Sequence, residues 1–280
     1  IDWTPFFQAW ELAGKFPAIL TDEIVGTQAS DLYQDARAML TRIVDEKWLT
    51  AKAVFGLWPA NSIGDDVRVQ HPQGETTLHF LRQQVDKPAE RPDFCLADFI
   101  APADSGRQDW IGAFAVTAGI GIDAHVARFE AEHDDYNAIL LKALADRFAE
   151  ALAERLHQRV RTGFWGYDHA ETLDNEALID EQYRGIRPAP GYPACPEHSE
   201  KRRLFDLLQA EANAGMELTE SFAMLPTAAV SGYYFSHPQS QYFVVGRLSR
   251  EQVGDYARRK GVDRAQAERW LASNLDYDPE

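Results

Sequence analysis

Trp110-Ile-Gly-Ala-Phe-Ala-Val-Thr117, followed by Gly119-Ile-Gly-Ile-Asp-Ala124, is the stretch whose reading decides between two fold classes. The first segment reads as a buried strand. The second has the G-x-G-x-x-A form of a dinucleotide-binding turn between a strand and a helix. A true fingerprint also carries an acidic residue about 20 positions on, at the end of the next parallel strand. Here that distance falls among Asn137 to Leu141, inside a helical pattern. The two glycines are therefore read as turn punctuation, and a doubly wound parallel sheet is not expected.

Upstream, Thr4-Pro5 reads as an N-cap followed by proline at the first helical position. A second helix is expected from about Asp22 to Lys47, where Ala29, Leu32, Tyr33, Ala36, Met39, Leu40 and Ile43 recur at spacings of three and four. Strands are expected at Ala53–Leu57, Asp66–Gln70 and Thr76–Leu81, and the least ordered-looking loop is 86–92. Downstream, the longest helix is placed at about Asp134 to Arg161. Leu144, Phe148, Leu152, Leu156 and Val160 form its expected buried row. Helices at Asn175–Tyr183 and Glu200–Asn213 flank a proline-rich stretch, and strands follow at Ser221–Met224, Ala228–Phe235 and Gln241–Leu248. Ser249-x-x-Gln252 reads as a capping box for a helix ending before Gly261, and Asp263 caps a last helix through Leu271. Elements arriving in groups predict an α+β fold, with a twisted, largely antiparallel sheet flanked by helices, and not a Rossmann fold.

Composition narrows the function classes. Hydrophobic residues make up 45% of the 280 and aromatics 11%, enough for a substantial core. No apolar run approaches the roughly 20 residues of a membrane span. The net charge of −16 argues against nucleic acid or an anionic membrane as a partner. The basic runs Lys201-Arg-Arg203 and Arg258-Arg-Lys260 are expected at solvated helix ends. Cys95 and Cys195 alone cannot make a disulfide framework, and they fit a reducing, cytoplasmic setting. Cys195-x-x-His198 lacks a second ligand pair of matching spacing, so no metal site is expected. The opening, without methionine or signal pattern, reads as the start of a fragment of a longer chain.

Arg187-Pro-Ala-Pro-Gly-Tyr-Pro-Ala-Cys-Pro196 stands out chemically. Its four prolines fix φ and remove N–H donors, while Gly191 permits a turn. The result is a stiff loop holding free carbonyls and one guanidinium at fixed spacing, suited to gripping a small polar ligand with little ordering cost.

Residues 181–198, which contain this loop, resemble the signature of the C-terminal reactivation domain of cobalamin-dependent methionine synthase. So do Asp2-Trp-Thr-Pro-Phe-Phe7, Cys95-Leu-Ala-Asp-Phe-Ile-Ala-Pro102, Ile111–Thr117, His133-Asp-Asp-Tyr-Asn137, Ala143-Leu-Ala-Asp-Arg147, Leu218–Met224 and Val230-Ser-Gly-Tyr-Tyr-Phe-Ser-His-Pro238. They occur in the family's order along essentially the whole chain. The resemblance implies one C-shaped unit over residues 1–280 that binds S-adenosylmethionine.

Arg187 suits the ligand's α-carboxylate, because a guanidinium can donate two parallel bonds. The resemblance assigns Asp2 to the ligand, and its carboxylate can answer the α-ammonium. Ala189, Gly191 and Tyr192 can offer backbone groups to adenine. Tyr242 and Phe243 stand where the family often carries two adjacent tyrosines, and an aromatic face near a sulfonium is favourable. If they sit on a strand, one of the two is core. Glu150 and Glu181 are carried over by resemblance as residues facing the cobalamin side.

The function implied is presentation of the methyl group of S-adenosylmethionine for reductive remethylation of inactive cob(II)alamin. Cobalamin would be held by another module of the same enzyme, and a flavodoxin-type protein would donate the electron. The isolated chain is not expected to make methionine, and no catalytic side-chain constellation is evident. Two alternatives stay open at this point: a self-contained S-adenosylmethionine-dependent methyltransferase, and a regulatory ligand-binding or docking module.

Overall fold

The computed structural model describes residues 1–85, 87–88 and 91–279. Helices α1 (Thr4–Ala9) and α2 (Gly26–Asp45) precede strands β1 (Thr50–Ile63), β2 (Asp66–His71) and β3 (Gly74–His79). Strand β4 (Asp109–Ile120) leads into α3 (Ile122–Ala131) and the long α4 (Asp135–Arg159). Short helices α5 (Asn175–Ile179), α6 (Glu200–Leu208) and α7 (Ala210–Ala214) follow. The small pair β5 (Glu217–Leu218) and β6 (Met224–Leu225) comes before β7 (Ala229–Tyr234), and α8 (Arg250–Lys260) and α9 (Arg264–Trp270) complete the order.

The main sheet runs β3-β2-β1-β4-β7 with every pairing antiparallel, which makes the fold α+β. That pairing decides the ambiguity at residues 110–124. Strand β4 lies between two antiparallel neighbours, so the following G-x-G turn cannot belong to a parallel βαβ unit. Gly121 caps α3 with φ +95°, and a Cβ there would stand 2.9 Å from the Trp48 carbonyl oxygen. Gly121→Ala is therefore expected to lower stability by about 1–3 kcal/mol, the usual range for a side chain forced into the left-handed region. Urea denaturation checks this, and an unchanged midpoint would contradict it.

Alternation along β4 builds the core on both faces. Ile111, Ala113 and Ala115 pack with Tyr233, Leu204 and Leu208 on the α6 side. Phe114 and Val116 pack with Ala153, Leu156 and Tyr234 on the α4 side. On α4 the most deeply buried row is Leu141, Ala145, Ala149, Ala153 and His157, displaced from the expected leucine-rich row, in which Phe148 and Leu152 are only half-buried. Small alanines let the helix lie close to the sheet, so packing distance, not side-chain bulk, selects the inner face.

Several expected elements change. Residues 241–248 form no strand despite their alternating pattern. Their neighbour is the proline-rich loop, which offers carbonyls but few donors, and the Val245 N–H reaches only Pro193 O at 2.9 Å. The 200–213 helix breaks at Gln209, whose φ is +48°, and the 175–183 helix stops at Ile179. In place of a strand over Ser221–Met224, the chain forms the β5–β6 pair. Trp3 rather than Thr4 occupies the N-cap of α1. Only half of the Ser249 capping box forms, since the Gln252 amide donates instead to the Arg82 carbonyl.

Each basic run keeps an exposed arginine, Arg202 and Arg258, but buries one of the cations expected in solvent. Lys201 is buried in the first turn of α6, and Lys260 is buried against the carboxylates of Glu197 and Glu200. Within the loop 86–92, residues 86, 89 and 90 lie outside the described set. Among the described residues no helix is long and apolar enough to cross a membrane.

Candidate functional site

The proline-rich loop is fastened to the end of β7. Ile186 and Phe235 exchange two backbone hydrogen bonds at 3.0 Å, and the Tyr233 N–H donates to Pro188 O at 2.9 Å. Gly232 makes that approach possible, because a Cβ there would lie 2.6 Å from Pro188 O. Inside the loop, the Gly191 N–H donates to Cys195 O at 2.7 Å. The Tyr192 N–H donates to Ala189 O at 3.2 Å, and the Cys195 N–H to Tyr192 O at 2.9 Å. Beyond it, the buried Glu197 carboxylate accepts from Ser199, Tyr256 and Lys260. Lys260 lowers the Glu197 pKa against the opposing effect of burial.

Two adjoining cavities open between this loop, α4 and the N-terminal segment. The first, of about 610 Å³, has a mixed lining that sets the charged Asp2, Glu150, Glu154, Glu181 and Arg187 beside apolar residues such as Leu178 and Ile179. The second, of about 390 Å³, is lined by Ala189, Tyr192, Val230, Tyr242 and Phe243, with Glu150, Glu181 and Arg187 shared. Together they make one cleft of the size that holds small ligands. Of the residues singled out from sequence, Gly191 alone lines neither cavity. Its φ is +96° and a Cβ would collide with the His198 ring, so the turn itself requires glycine there.

Asp2 turns one carboxylate oxygen to the Thr4 N–H at 3.0 Å. Tyr242 and Phe243 diverge although no strand holds them. The Tyr242 hydroxyl accepts from the Arg187 N–H at 3.1 Å. Phe243 packs its ring 6.0 Å from Phe94 and 6.5 Å from Phe99, at the edge of the core.

Arg187 is the electrostatic centre of the cleft. Its Nη2 donates to Glu154 Oε2 at 3.3 Å, and Nη1 stands 3.9 Å from Glu150 Oε2. Burial opposes its charge, but Tyr183 and the Glu154 carboxylate outweigh that and raise its pKa. Its buried Nε has no hydrogen-bond partner among the described residues. Arg187 lines both cavities, and a guanidinium there fits an incoming carboxylate. The second cavity is apolar and aromatic, with the Ala189 N–H unpaired among the described residues. That fits an aromatic ring with a polar edge.

Sequence reasoning missed what stands behind Arg187. Arg161, fully buried, donates through Nε and Nη2 to Glu171 at 2.5 and 2.9 Å, and its guanidinium lies 3.9 Å above the Tyr183 ring. Tyr183 in turn donates to Glu154 Oε2 at 3.4 Å. His157 stacks on Tyr234 at 5.0 Å, and burial pushes its pKa well below the ordinary imidazole value. A signal did exist: Arg147, Glu150, Ala151, Glu154 and Gln158 recur at three- and four-residue spacing and share the cavity-facing side of α4. Alone, such a stripe reads as a solvated face. Among the described residues no group of three or more His, Cys, Asp or Glu side chains could hold a metal ion.

Comparison with known proteins agrees with this architecture. The model of the vitamin B12 dependent methionine synthase activation domain matches residues 1–261. A crystal structure of the MetH reactivation domain bound to AdoHcy is similar at a TM-score of 0.95 and 56% sequence identity, covering 99% of this chain and 86% of that one. With the match spanning both the antiparallel sheet and the cleft-forming loop, the chain belongs to the family of vitamin B12-dependent methionine synthase activation domains.

Proposed function

We propose that this chain binds S-adenosylmethionine in the cleft and presents its methyl group for reductive remethylation of inactive cob(II)alamin in methionine synthase. The observation that carries the reading is the meeting of Asp2 and Arg187, far apart in sequence, on one cavity that adjoins an aromatic one. Opposite charges on one cavity suit the ligand's zwitterionic amino acid, and the aromatic cavity suits adenine and the sulfonium. Glu150 and Glu181 lie where the two cavities join, and we assign them to the cobalamin-facing side. The Tyr242 hydroxyl, held by the Arg187 N–H, stiffens the wall of the aromatic cavity.

Cobalamin, held by another module of the same enzyme, supplies the cobalt that accepts the methyl group. What this chain contributes is orientation and exclusion of water. We assign the electron to a flavodoxin-type donor and the setting to the cytoplasm. The domain spans residues 1–280, and its longer parent enzyme provides the homocysteine chemistry.

Calorimetric titration of the chain with S-adenosylmethionine tests the reading, followed by addition of cobalamin-loaded module and reductant. Binding, then a change in the cobalamin spectrum, is expected, with no methionine formed from homocysteine by the chain alone. Absence of binding, or methionine formation by this polypeptide, would overturn it. Asp2→Asn keeps the shape but removes the charge. It is expected to weaken binding by about 1 kcal/mol, the difference between charged and neutral hydrogen bonds. An affinity equal to the parent's would remove Asp2 from the site.

A further inference from the structure

Four charged side chains of alternating sign run from the interior to the cleft: Glu171, Arg161, Glu154 and Arg187. The inner pair is locked. Glu171 and Arg161 have side chains 1% and 0% exposed and make two hydrogen bonds to each other. Arg161 lies in a π-type turn over Val160–Phe164 at the end of α4, and its Nη2 stands 3.6 Å from Glu154 Oε1. That oxygen is buried and makes no hydrogen bond among the described residues. The second oxygen, Oε2, accepts from Arg187 Nη2 and from the Tyr183 hydroxyl. Glu154 thus lies between two guanidinium groups, with Oε1 facing the fixed Arg161 and both of its hydrogen bonds on Oε2.

Two roles are compatible with a carboxylate against Arg187. It could compete with a ligand carboxylate for the guanidinium, or it could hold the guanidinium in the pose that receives one. Competition requires the carboxylate to swing aside when the ligand arrives. Such a swing would take the carboxylate away from the buried Arg161 guanidinium and from the Tyr183 hydroxyl, which disfavours it. Preorganisation also lowers the ordering cost of binding, because a free arginine side chain would lose its rotamers at that moment.

We propose that Glu154 is a positioning residue, which aims Arg187 at the amino-acid portion of the bound ligand and is itself held by the Arg161–Glu171 pair. This rests on the assignment of the cleft to S-adenosylmethionine. Glu154 touches the guanidinium and not the reacting methyl group, so its effect falls on recognition of one part of the ligand. A residue that merely supports the fold would weaken every ligand of the cleft alike.

The test compares S-adenosylmethionine with 5′-methylthioadenosine, which shares the adenosine and sulfur but lacks the amino-acid portion. In Glu154→Gln, affinity for S-adenosylmethionine is expected to fall about tenfold, as for loss of one charge-assisted hydrogen bond, with 5′-methylthioadenosine unaffected. Glu154→Asp keeps the charge but draws it back by one methylene, and is expected to lose less. If Glu154→Gln does not fold, the affinity ratio in Glu154→Asp decides. An equal loss for both ligands would make the role structural and overturn the proposal, as would unchanged or tighter binding of S-adenosylmethionine. Parent protein that binds neither ligand would instead overturn the assignment of the cleft, and the proposal with it.

Discussion

Glu171→Ala is expected to destabilise the folded chain by about 3–5 kcal/mol, the range for removing one partner of a buried ion pair. Glu171 takes two hydrogen bonds from Arg161, whose side chain is fully buried and whose Nη1 already lacks a hydrogen-bond partner among the described residues. After the substitution, Glu154 Oε1 at 3.6 Å is the nearest remaining carboxylate. It makes no hydrogen bond to the guanidinium, so the charge stays buried with little compensation. Replacing both members by apolar residues, Arg161→Met with Glu171→Leu, should cost far less, because the uncompensated charge goes too. Urea denaturation of the parent and the two variants measures both quantities. A loss below about 1 kcal/mol in Glu171→Ala would place the pair among exposed ion pairs in energetic weight, contrary to its burial.

Arg187→Ala is expected to weaken S-adenosylmethionine binding by about 1.5–3 kcal/mol, the range for hydrogen bonds to charged groups. The guanidinium lines the cleft and is held by Glu154, so little of its binding energy goes into ordering it. Arg187→Lys should recover only part, since a single ammonium cannot reproduce two parallel donors. The fold should persist in both variants, because Glu154 keeps its contacts to Arg161 and Tyr183. Calorimetry on folded protein decides the matter. An affinity equal to the parent's would remove Arg187 from ligand recognition.

Local chemistry made much of this protein readable from its residues. Strand β4 followed by a turn at Gly121, the stiffness of the loop from Arg187 to Pro196, and the caps at Ser249 and Asp263 each depend on a few neighbouring residues. Proline geometry, glycine's tolerance of positive φ and side-chain capping act within a turn or two, so they are written in the chain itself. The resemblance along essentially the whole chain extended that reading to S-adenosylmethionine, with Asp2, Arg187 and Tyr242 as the contacts it implies.

Pairing and packing were decided only by the tertiary structure. The alternating residues 241–248 look like a strand, yet they lie beside a proline-rich partner with too few donors to form a ladder. Lys201 and Lys260 look like solvated cations, yet both are buried, and Lys260 is paired with carboxylates from a distant segment. Gly191 reads as turn punctuation, but only the folded loop shows what requires it: its N–H closes the turn and its missing side chain makes room for His198. Most of all, Glu154 belongs to an ordinary acidic helix stripe until Arg161, Tyr183 and Arg187 converge on it. Whether a charge meets water or another charge depends on groups brought together by long-range packing, and no local rule of sequence carries that information.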